Sequence, residues 1–156
     1  MARVSHVLAR RQWVPAAPEA TFAFFADAAN LEAITPPFLH FSIVTPLPVA
    51  MCAGARIEYR LRLFGAPIAW RTLLLEWTPT RSFTDAQLAG PYAEWVHRHT
   101  FTPERGGTLV EDEVRYRLPF APWSAPVHAL FVRPTLERIF DYRREEVALR
   151  LGSGAR

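Results

Sequence analysis

Two segments of alternating polar and apolar residues, joined by a glycine-rich turn, constrain the fold of this chain more than any other feature. Residues 108–118 place their charged side chains on one face and mostly apolar ones on the other. Residues 94–102 alternate with the same period, and Arg105-Gly106-Gly107 between the two segments is a strong hairpin signal. A period of two is the spacing of a half-buried β-strand. The sequence therefore predicts an antiparallel sheet at the centre of the fold.

The hairpin also predicts which side chains share the inner face. Residues two apart on a strand point the same way, so Trp95, His97 and His99 face inward together with Phe101. A two-residue turn at Arg105-Gly106 sets His99 opposite Asp112 and Trp95 opposite Tyr116. Two imidazoles, a carboxylate and a phenol are thus expected on one patch of the sheet.

The rest of the chain divides into further strands and helices. We predict a first strand over 4–14, a short helix over 19–26, and a second over 31–34 capped by Asn30. A short strand over 41–44 is followed by strands over 56–64 and 67–77, joined by a turn at Gly65-Ala66, and by a strand over 83–87. The main helix is predicted over 126–151, with Pro134 kinking or dividing it.

Composition fixes the broad class. The chain has 156 residues, half of them apolar, with 11 Phe, 5 Trp and 4 Tyr, enough for a buried core in one domain over 1–151 with a flexible tail at 152–156. All 18 basic residues are scattered arginines and the net charge is +3, so no basic cluster typical of a nucleic-acid-binding face is present.

Cys52 is the only cysteine, and the sequence shows neither a signal region nor an apolar run as long as a membrane span. We expect a reduced, cytoplasmic protein.

One amphipathic helix packed on one antiparallel sheet is an α+β arrangement. Leu136, Ile139, Phe140, Arg143 and Val147 form one stripe of the predicted helix. Twisted sheets curl. We therefore expect about seven strands curved around the long C-terminal helix, two short helices after the first strand, and space between sheet and helix.

These residues resemble the START-like helix-grip superfamily, also called SRPBCC or polyketide-cyclase-like, and within it a bacterial subgroup of short proteins. The resemblance is carried by residues 30–39, Glu58-Tyr59-Arg60-Leu61, Trp70-Arg71-Thr72, Glu76-Trp77-Thr78-Pro79, Asp85-Ala86-Gln87, Gly90-Pro91-Tyr92, Trp95, His97, His99 and Phe140-Asp141-Tyr142-Arg143. It implies a deep apolar cavity between sheet and long helix. Relatives in this subgroup occur beside or fused to sugar-nucleotide-epimerase-like domains, but no glycine-rich dinucleotide fingerprint is present here, and we predict no nucleotide cofactor.

The candidate site combines the inward polar groups with aromatic walls. Its predicted ligand-binding residues are Tyr59, Trp70, Thr72, Asp85, Gln87, Tyr92, Trp95, His97, His99, Asp112, Tyr116, Phe140 and Arg143. An inward carboxylate needs a cationic partner, so Asp85 is expected to pair with Arg143. Tyr92 and Pro91 are expected to shape the mouth of the cavity.

Four interpretations of this site stay open. The polar groups can satisfy one another within the core, or recognise a small molecule. They can also perform acid–base catalysis, with His97, His99, Asp112 and Tyr116 as candidates. A metal would take the two histidines with Asp112 as third ligand; this is the interpretation we favour least, and we predict none.

We predict that the chain binds a hydrophobic small molecule, whose polar end lies near His97, His99 and Asp112. The alternative is a cyclase- or dehydratase-like enzyme on a polyketide-type substrate, with His97 or His99 as base and Tyr59 or Tyr116 bonded to an enolate oxygen. A third interpretation is a homodimeric interaction module, in which Trp13, Phe64 and Leu73 form an exposed patch.

Overall fold

A computed structural model describes residues 5–153. The strands are β1 (His6–Val14), β2 (Ser42–Ile43), β3 (Arg56–Leu63), β4 (Ala66–Thr78), β5 (Ser82–Ala89), β6 (Glu94–Glu104) and β7 (Gly107–Arg117). The helices are α1 (Pro18–Ala26), α2 (Ala29–Ala33), a 3₁₀ turn (Pro37–Leu39), α3 (Ala125–Val127), a π-helical turn (His128–Val132) and α4 (Arg133–Leu151). Residue 4 of the predicted first strand and residues 154–156 of the predicted tail lie outside the described residues.

The seven strands form one antiparallel sheet in the order β1-β7-β6-β5-β4-β3-β2. The sheet is curved, and α4 lies across its concave face, which confirms the predicted helix-grip α+β fold. Within the described part of the chain, no helix combines the length and apolarity needed to cross a bilayer.

The two long hairpins test the predicted registers. The β6–β7 register is confirmed, with His99 opposite Asp112 and Trp95 opposite Tyr116. The predicted β3–β4 turn is wrong by one residue, because Phe64 and Gly65 form it, with φ of 50° and 78°. A two-residue turn of this hand requires positive φ at both central positions. Tyr59 therefore faces Trp70 rather than Thr72, but the shift is even and leaves every side chain on its predicted face.

The start of α2 differs from the prediction, whereas the break in the C-terminal helix agrees with it. Asn30 is not the cap of α2, because the helix begins at Ala29, whose backbone N–H donates to Asp27 Oδ1. The side-chain amide of Asn30 donates instead to the carbonyl of Phe24. Pro134 divides the C-terminal helix as predicted, since the wide π turn ends just before it. Proline lacks the N–H that would bond to the carbonyl four residues back, so the regular ladder is broken at that point.

Two groups of buried side chains hold α4 to the sheet. Phe22, Phe83 and Phe101 pack edge-on or stacked at one end, with Val147 of α4 in the same cluster. Val114 of β7 packs against Leu136 and neighbouring apolar residues of α4 at the other end. A cavity lies between these clusters.

The predicted exposed patch does not form. Trp13 lies on β1 and is half-buried, with its indole N–H donating to the carbonyl of Glu104 at 2.7 Å. Leu73 lies on β4, with β5, β6 and β7 between it and β1. Phe64 is 64% exposed at the β3–β4 turn. These three side chains therefore do not make one surface.

Candidate functional site

A cavity of about 180 Å³ lies between the concave face of the sheet and α4. Its walls are mainly apolar and come from α1, α2, the inner faces of β3 to β6 and one side of α4. The apolar lining includes Phe24, Phe25, Leu31, Ile34, Phe41, Ile57, Leu61, Trp70, Leu74, Phe83, Trp95, Leu136, Ile139 and Phe140. A few polar groups interrupt this lining, which is the usual composition of a small-molecule pocket.

Four titratable side chains form a continuous chain at the base of the cavity. Asp85 Oδ2 is 3.0 Å from His99 Nε2, and Asp112 Oδ1 is 2.9 Å from His97 Nε2. Asp112 Oδ1 is also 3.0 Å from His99 Nδ1, at an angle too poor for a hydrogen bond. We call Asp85, His97, His99 and Asp112 the carboxylate–histidine cluster.

The strand register explains why the cluster forms. His97 and His99 are two apart on β6, so both imidazoles stand on the inner face. Asp85 lies opposite His97 on β5, and Asp112 lies opposite His99 on β7. Each histidine is thus flanked by a carboxylate from a neighbouring strand.

Aromatic rings fix the orientation of both imidazoles. His99 stacks on Phe83 with centroids 4.1 Å apart, and the two imidazole centroids are 3.8 Å apart. Phe140 of α4 meets His97 edge-on at 5.6 Å. The cluster is therefore held by packing as well as by its own polar contacts.

Burial and partners shift the pKa values within the cluster in opposite directions. Burial lowers the pKa of His97 and the nearby His99 adds to this, outweighing the contact with Asp112. Burial also opposes protonation of His99, but the two flanking carboxylates outweigh it and raise its pKa. Burial would raise the pKa of both Asp85 and Asp112, yet their histidine partners hold both values below the ordinary range. These shifts favour the charged form of both carboxylates and of His99, and the neutral form of His97.

The cationic partner of Asp85 is His99, which corrects the predicted pairing with Arg143. Arg143 lines the cavity from α4, and its guanidinium carbon lies 4.9 Å from the centroid of the Phe140 ring. Its Nε is buried and has no hydrogen-bond partner within residues 5–153. Arg143 therefore lines the cavity without an ion-pair partner among the described residues.

A second polar group lies on β3 and β4. The Tyr59 hydroxyl is 2.8 Å from Thr72 Oγ1, and the Trp70 indole N–H donates to the same oxygen at 3.1 Å. Burial raises the pKa of Tyr59, with the negative charge of Asp85 as a further cause. Tyr59 therefore stays a neutral hydroxyl on the cavity wall.

The loop after β5 is tied by a reciprocal amide contact. Gln87 Nε2 donates to the carbonyl of Tyr92 at 2.8 Å, and the Tyr92 amide donates to Gln87 Oε1 at 3.1 Å. A Cβ at Gly90 would collide with the Gln87 side chain, so a larger residue there would have to displace this amide contact. Gln87 thus positions Pro91 and Tyr92, which line the cavity.

The structure brings most predicted site residues to one cavity. Ten of them line it, namely Tyr59, Trp70, Thr72, Asp85, Tyr92, Trp95, His97, His99, Phe140 and Arg143. Gln87 lies behind the loop, Asp112 lies behind the histidines and faces a second, smaller recess, and Tyr116 contacts His128 at 2.8 Å instead.

The predicted ligand-binding residues did not include the segment after β1. Phe24, Leu31 and Ile34 close one side of the cavity from α1 and α2. These helices are short, so their periodicity does not reveal which face meets the cavity. His128 was also missed, although an inward Tyr116 hydroxyl required some partner.

A curved antiparallel sheet closed by a long C-terminal helix over an apolar cavity defines the helix-grip class of proteins. The chain belongs to the family described as polyketide cyclase / dehydrase and lipid transport, whose sequence profile matches residues 5–151. No protein of curated function matches it in sequence.

Solved structures show the same fold. A START superfamily protein from Mycobacterium smegmatis is 14% identical with a TM-score of 0.66, over 93% of this chain and 99% of that one. A point mutant of norcoclaurine synthase from Thalictrum flavum, in complex with a transition-state analogue, is 12% identical with a TM-score of 0.67, over 96% and 98% of the two chains.

A nucleoside-diphosphate sugar epimerase from Corynebacterium glutamicum is 24% identical with a TM-score of 0.66. The match covers 90% of this chain but only 28% of the epimerase. The activity named for that protein therefore belongs to a much longer chain, and the likeness to this one is a likeness of fold.

Proposed function

We propose that residues 1–151 act as one domain that binds a small aromatic molecule with a polar end, taken up between the sheet and α4. The observation that carries the proposal is an apolar cavity whose lining is interrupted by a small number of polar side chains. The proposed contacts are the ten cavity-lining residues named above, with Asp112, Gln87 and Tyr116 acting behind them.

The size of the cavity limits the ligand. An apolar cavity of roughly 150 Å³ accepts one benzene molecule. A cavity of about 180 Å³ therefore suits one ring, or two fused rings with a small substituent, better than a long lipid chain. Trp70, Tyr92 and Trp95 offer ring faces and edges against which such a molecule packs.

The charges at the base of the cavity favour a ligand with a neutral polar end. Asp85 and Asp112 carry two negative charges, which His99 and Arg143 balance. A hydroxyl or carbonyl group adds no charge to this arrangement, and the guanidinium of Arg143, which lines the cavity, is the proposed donor for a carbonyl oxygen. An anionic ligand would require an additional proton on the cluster.

Isothermal titration calorimetry with 2-naphthol tests this proposal. Leu61 lines the cavity from β3, and Leu61→Trp fills part of the space. Leu75→Trp on the outer face of β4, where Leu75 is 47% exposed, is the matched control. We expect the wild type and Leu75→Trp to bind equally and Leu61→Trp to bind at least about tenfold more weakly, equivalent to about 1.4 kcal/mol. Equal binding by all three proteins, or none by the wild type, would overturn the proposal.

The enzymatic alternative is favoured by one observation. Asp85 contacts His99 within the cavity lining, so a carboxylate-oriented imidazole faces any bound molecule. Such a pair moves protons near neutral pH, and in this alternative the Tyr59 hydroxyl would bond an enolate oxygen. The diagnostic variant is His99→Ala: retained ligand binding with loss of turnover of a polyketide-type substrate supports an enzyme, whereas proportional loss of both supports a carrier.

A further inference from the structure

We propose that Asp85, His97 and His99 form a binding site for a divalent transition-metal ion at the base of the cavity. One ligand atom from each residue lies within 4.8 Å of the other two. Two imidazole nitrogens and one carboxylate oxygen suit Zn²⁺ and Fe²⁺. The proposal requires no organic ligand and is independent of the one above.

The two carboxylates lie on opposite edges of His99. Asp85 is at Nε2 and Asp112 is at Nδ1, and the two ring nitrogens of an imidazole point in divergent directions. Asp85, His97 and His99 line the main cavity, whereas Asp112 faces the smaller recess behind it. The sequence pointed to Asp112 as the third ligand, but the structure puts Asp85 in that place.

Asp112 is left with a different role, behind the metal ligands. Its Oδ1 contacts Nε2 of His97 at 2.9 Å and Nδ1 of His99 at 3.0 Å. A carboxylate on the far nitrogen of a ligating histidine is the usual support in metal sites, because it fixes the tautomer and the ring orientation. Here Asp112 hydrogen-bonds His97 and lies beside Nδ1 of His99, so Nδ1 of His97 and Nε2 of His99 are the atoms left for the metal.

The charges of the surrounding side chains and the free coordination positions both suit a metal ion bound by Asp85, His97 and His99. The negative charges of Asp85 and Asp112 offset a divalent ion beside two neutral imidazoles. Three protein ligands leave positions open toward the cavity, as in catalytic rather than structural metal sites. The remaining positive charge of Arg143 suits an anionic group, such as hydroxide, at an open position.

Calorimetric titration with Zn²⁺ tests the proposal, using tag-free protein first treated with a chelator. We expect one ion per chain in the wild type. Asp85→Asn weakens a metal ligand, and Asp112→Asn weakens the support behind both histidines. The second change is expected to lower the affinity roughly 10–100-fold. His40→Gln, at an exposed histidine outside the cavity, is the control and is expected to bind as the wild type does.

Two outcomes would overturn the proposal: no binding by the wild type, or binding that Asp85→Asn leaves unchanged. If the variants fail to fold, nitrogen NMR of the histidine side chains in the wild type tests the site without them. On adding Zn²⁺ the signals of His97 and His99 are expected to shift together. A shift confined to other histidines would count against the site, whether or not 2-naphthol binds.

Discussion

At the scale of single residues, Thr72 is the side chain on which the wall of the cavity depends. The residue is 4% exposed, and its hydroxyl accepts the indole N–H of Trp70 while bonding the hydroxyl of Tyr59. Thr72→Val keeps the shape but leaves both groups without this partner. A buried polar group left unpaired costs about 1–3 kcal/mol, so we expect the free energy of unfolding to fall by that amount in urea denaturation.

Thr78→Val is the control for this change, because Thr78 is exposed on the same strand. It is expected to alter the free energy of unfolding by less than about 0.5 kcal/mol. Equal effects of the two substitutions would show that the shared hydroxyl contributes nothing.

The polar pairs at this scale were only partly predictable. His99 and Asp112 follow from a hairpin whose turn fixes the register. The contact between Asp85 and His99 depends on β5, which joins β6 through the loop around Pro91 rather than through a tight turn, so its register was not fixed by the sequence pattern. Arg143 lines the cavity as predicted, but its expected pairing with Asp85 was wrong because His99 of the neighbouring strand takes that position.

At the scale of elements, the two hairpin turns share one backbone requirement. Arg105 and Gly106 have φ of 49° and 74°, and Phe64 and Gly65 also lie in the left-handed region. Asparagine tolerates this region better than arginine, whereas a β-branched residue does so poorly. We expect Arg105→Asn to raise the free energy of unfolding by about 0.5–1 kcal/mol and Arg105→Val to lower it.

Urea denaturation of both variants checks this expectation, since Arg105 is exposed and the change in stability is read from the midpoint at constant slope. Two variants that move the midpoint in the same direction would contradict the backbone argument.

The difference between the two predicted turns has the same origin. Arg105-Gly106-Gly107 carries glycine where positive φ is needed, so its register was predicted correctly. Phe64-Gly65 also has glycine at the second central position, whereas the predicted turn Gly65-Ala66 put glycine at the first. The side chains predicted to face inward still do so, because a register shift by an even number of residues leaves each side chain on the same face of the sheet.

At the scale of the whole molecule, the attachment of the C-terminal helix to the sheet depends on a buried histidine. His128 begins the π turn, stacks on His6 of β1 with centroids 3.6 Å apart, and lies 2.8 Å from the Tyr116 hydroxyl of β7. The sequence predicted the sheet and the helix that grips it, because both have strong periodicity. It did not predict this contact, because a lone histidine in an apolar segment has no periodic signal.

This attachment predicts how stability depends on pH. Burial lowers the pKa of His128, and the neighbouring His6 and Arg133 lower it further. Below about pH 6.5, the ordinary histidine value, the unfolded chain binds a proton that the folded chain resists. Stability is therefore expected to fall as the pH drops through that value toward the lowered pKa.

Thermal unfolding between pH 5 and 8 measures this effect by comparing the wild type with His128→Gln. The variant lacks the titrating group, so its melting temperature is expected to fall less steeply below about pH 6.5. His40→Gln removes an exposed histidine and is expected to follow the wild type. Parallel curves for the wild type and His128→Gln would mean that protonation of His128 does not loosen the junction between β1, β7 and the C-terminal helix.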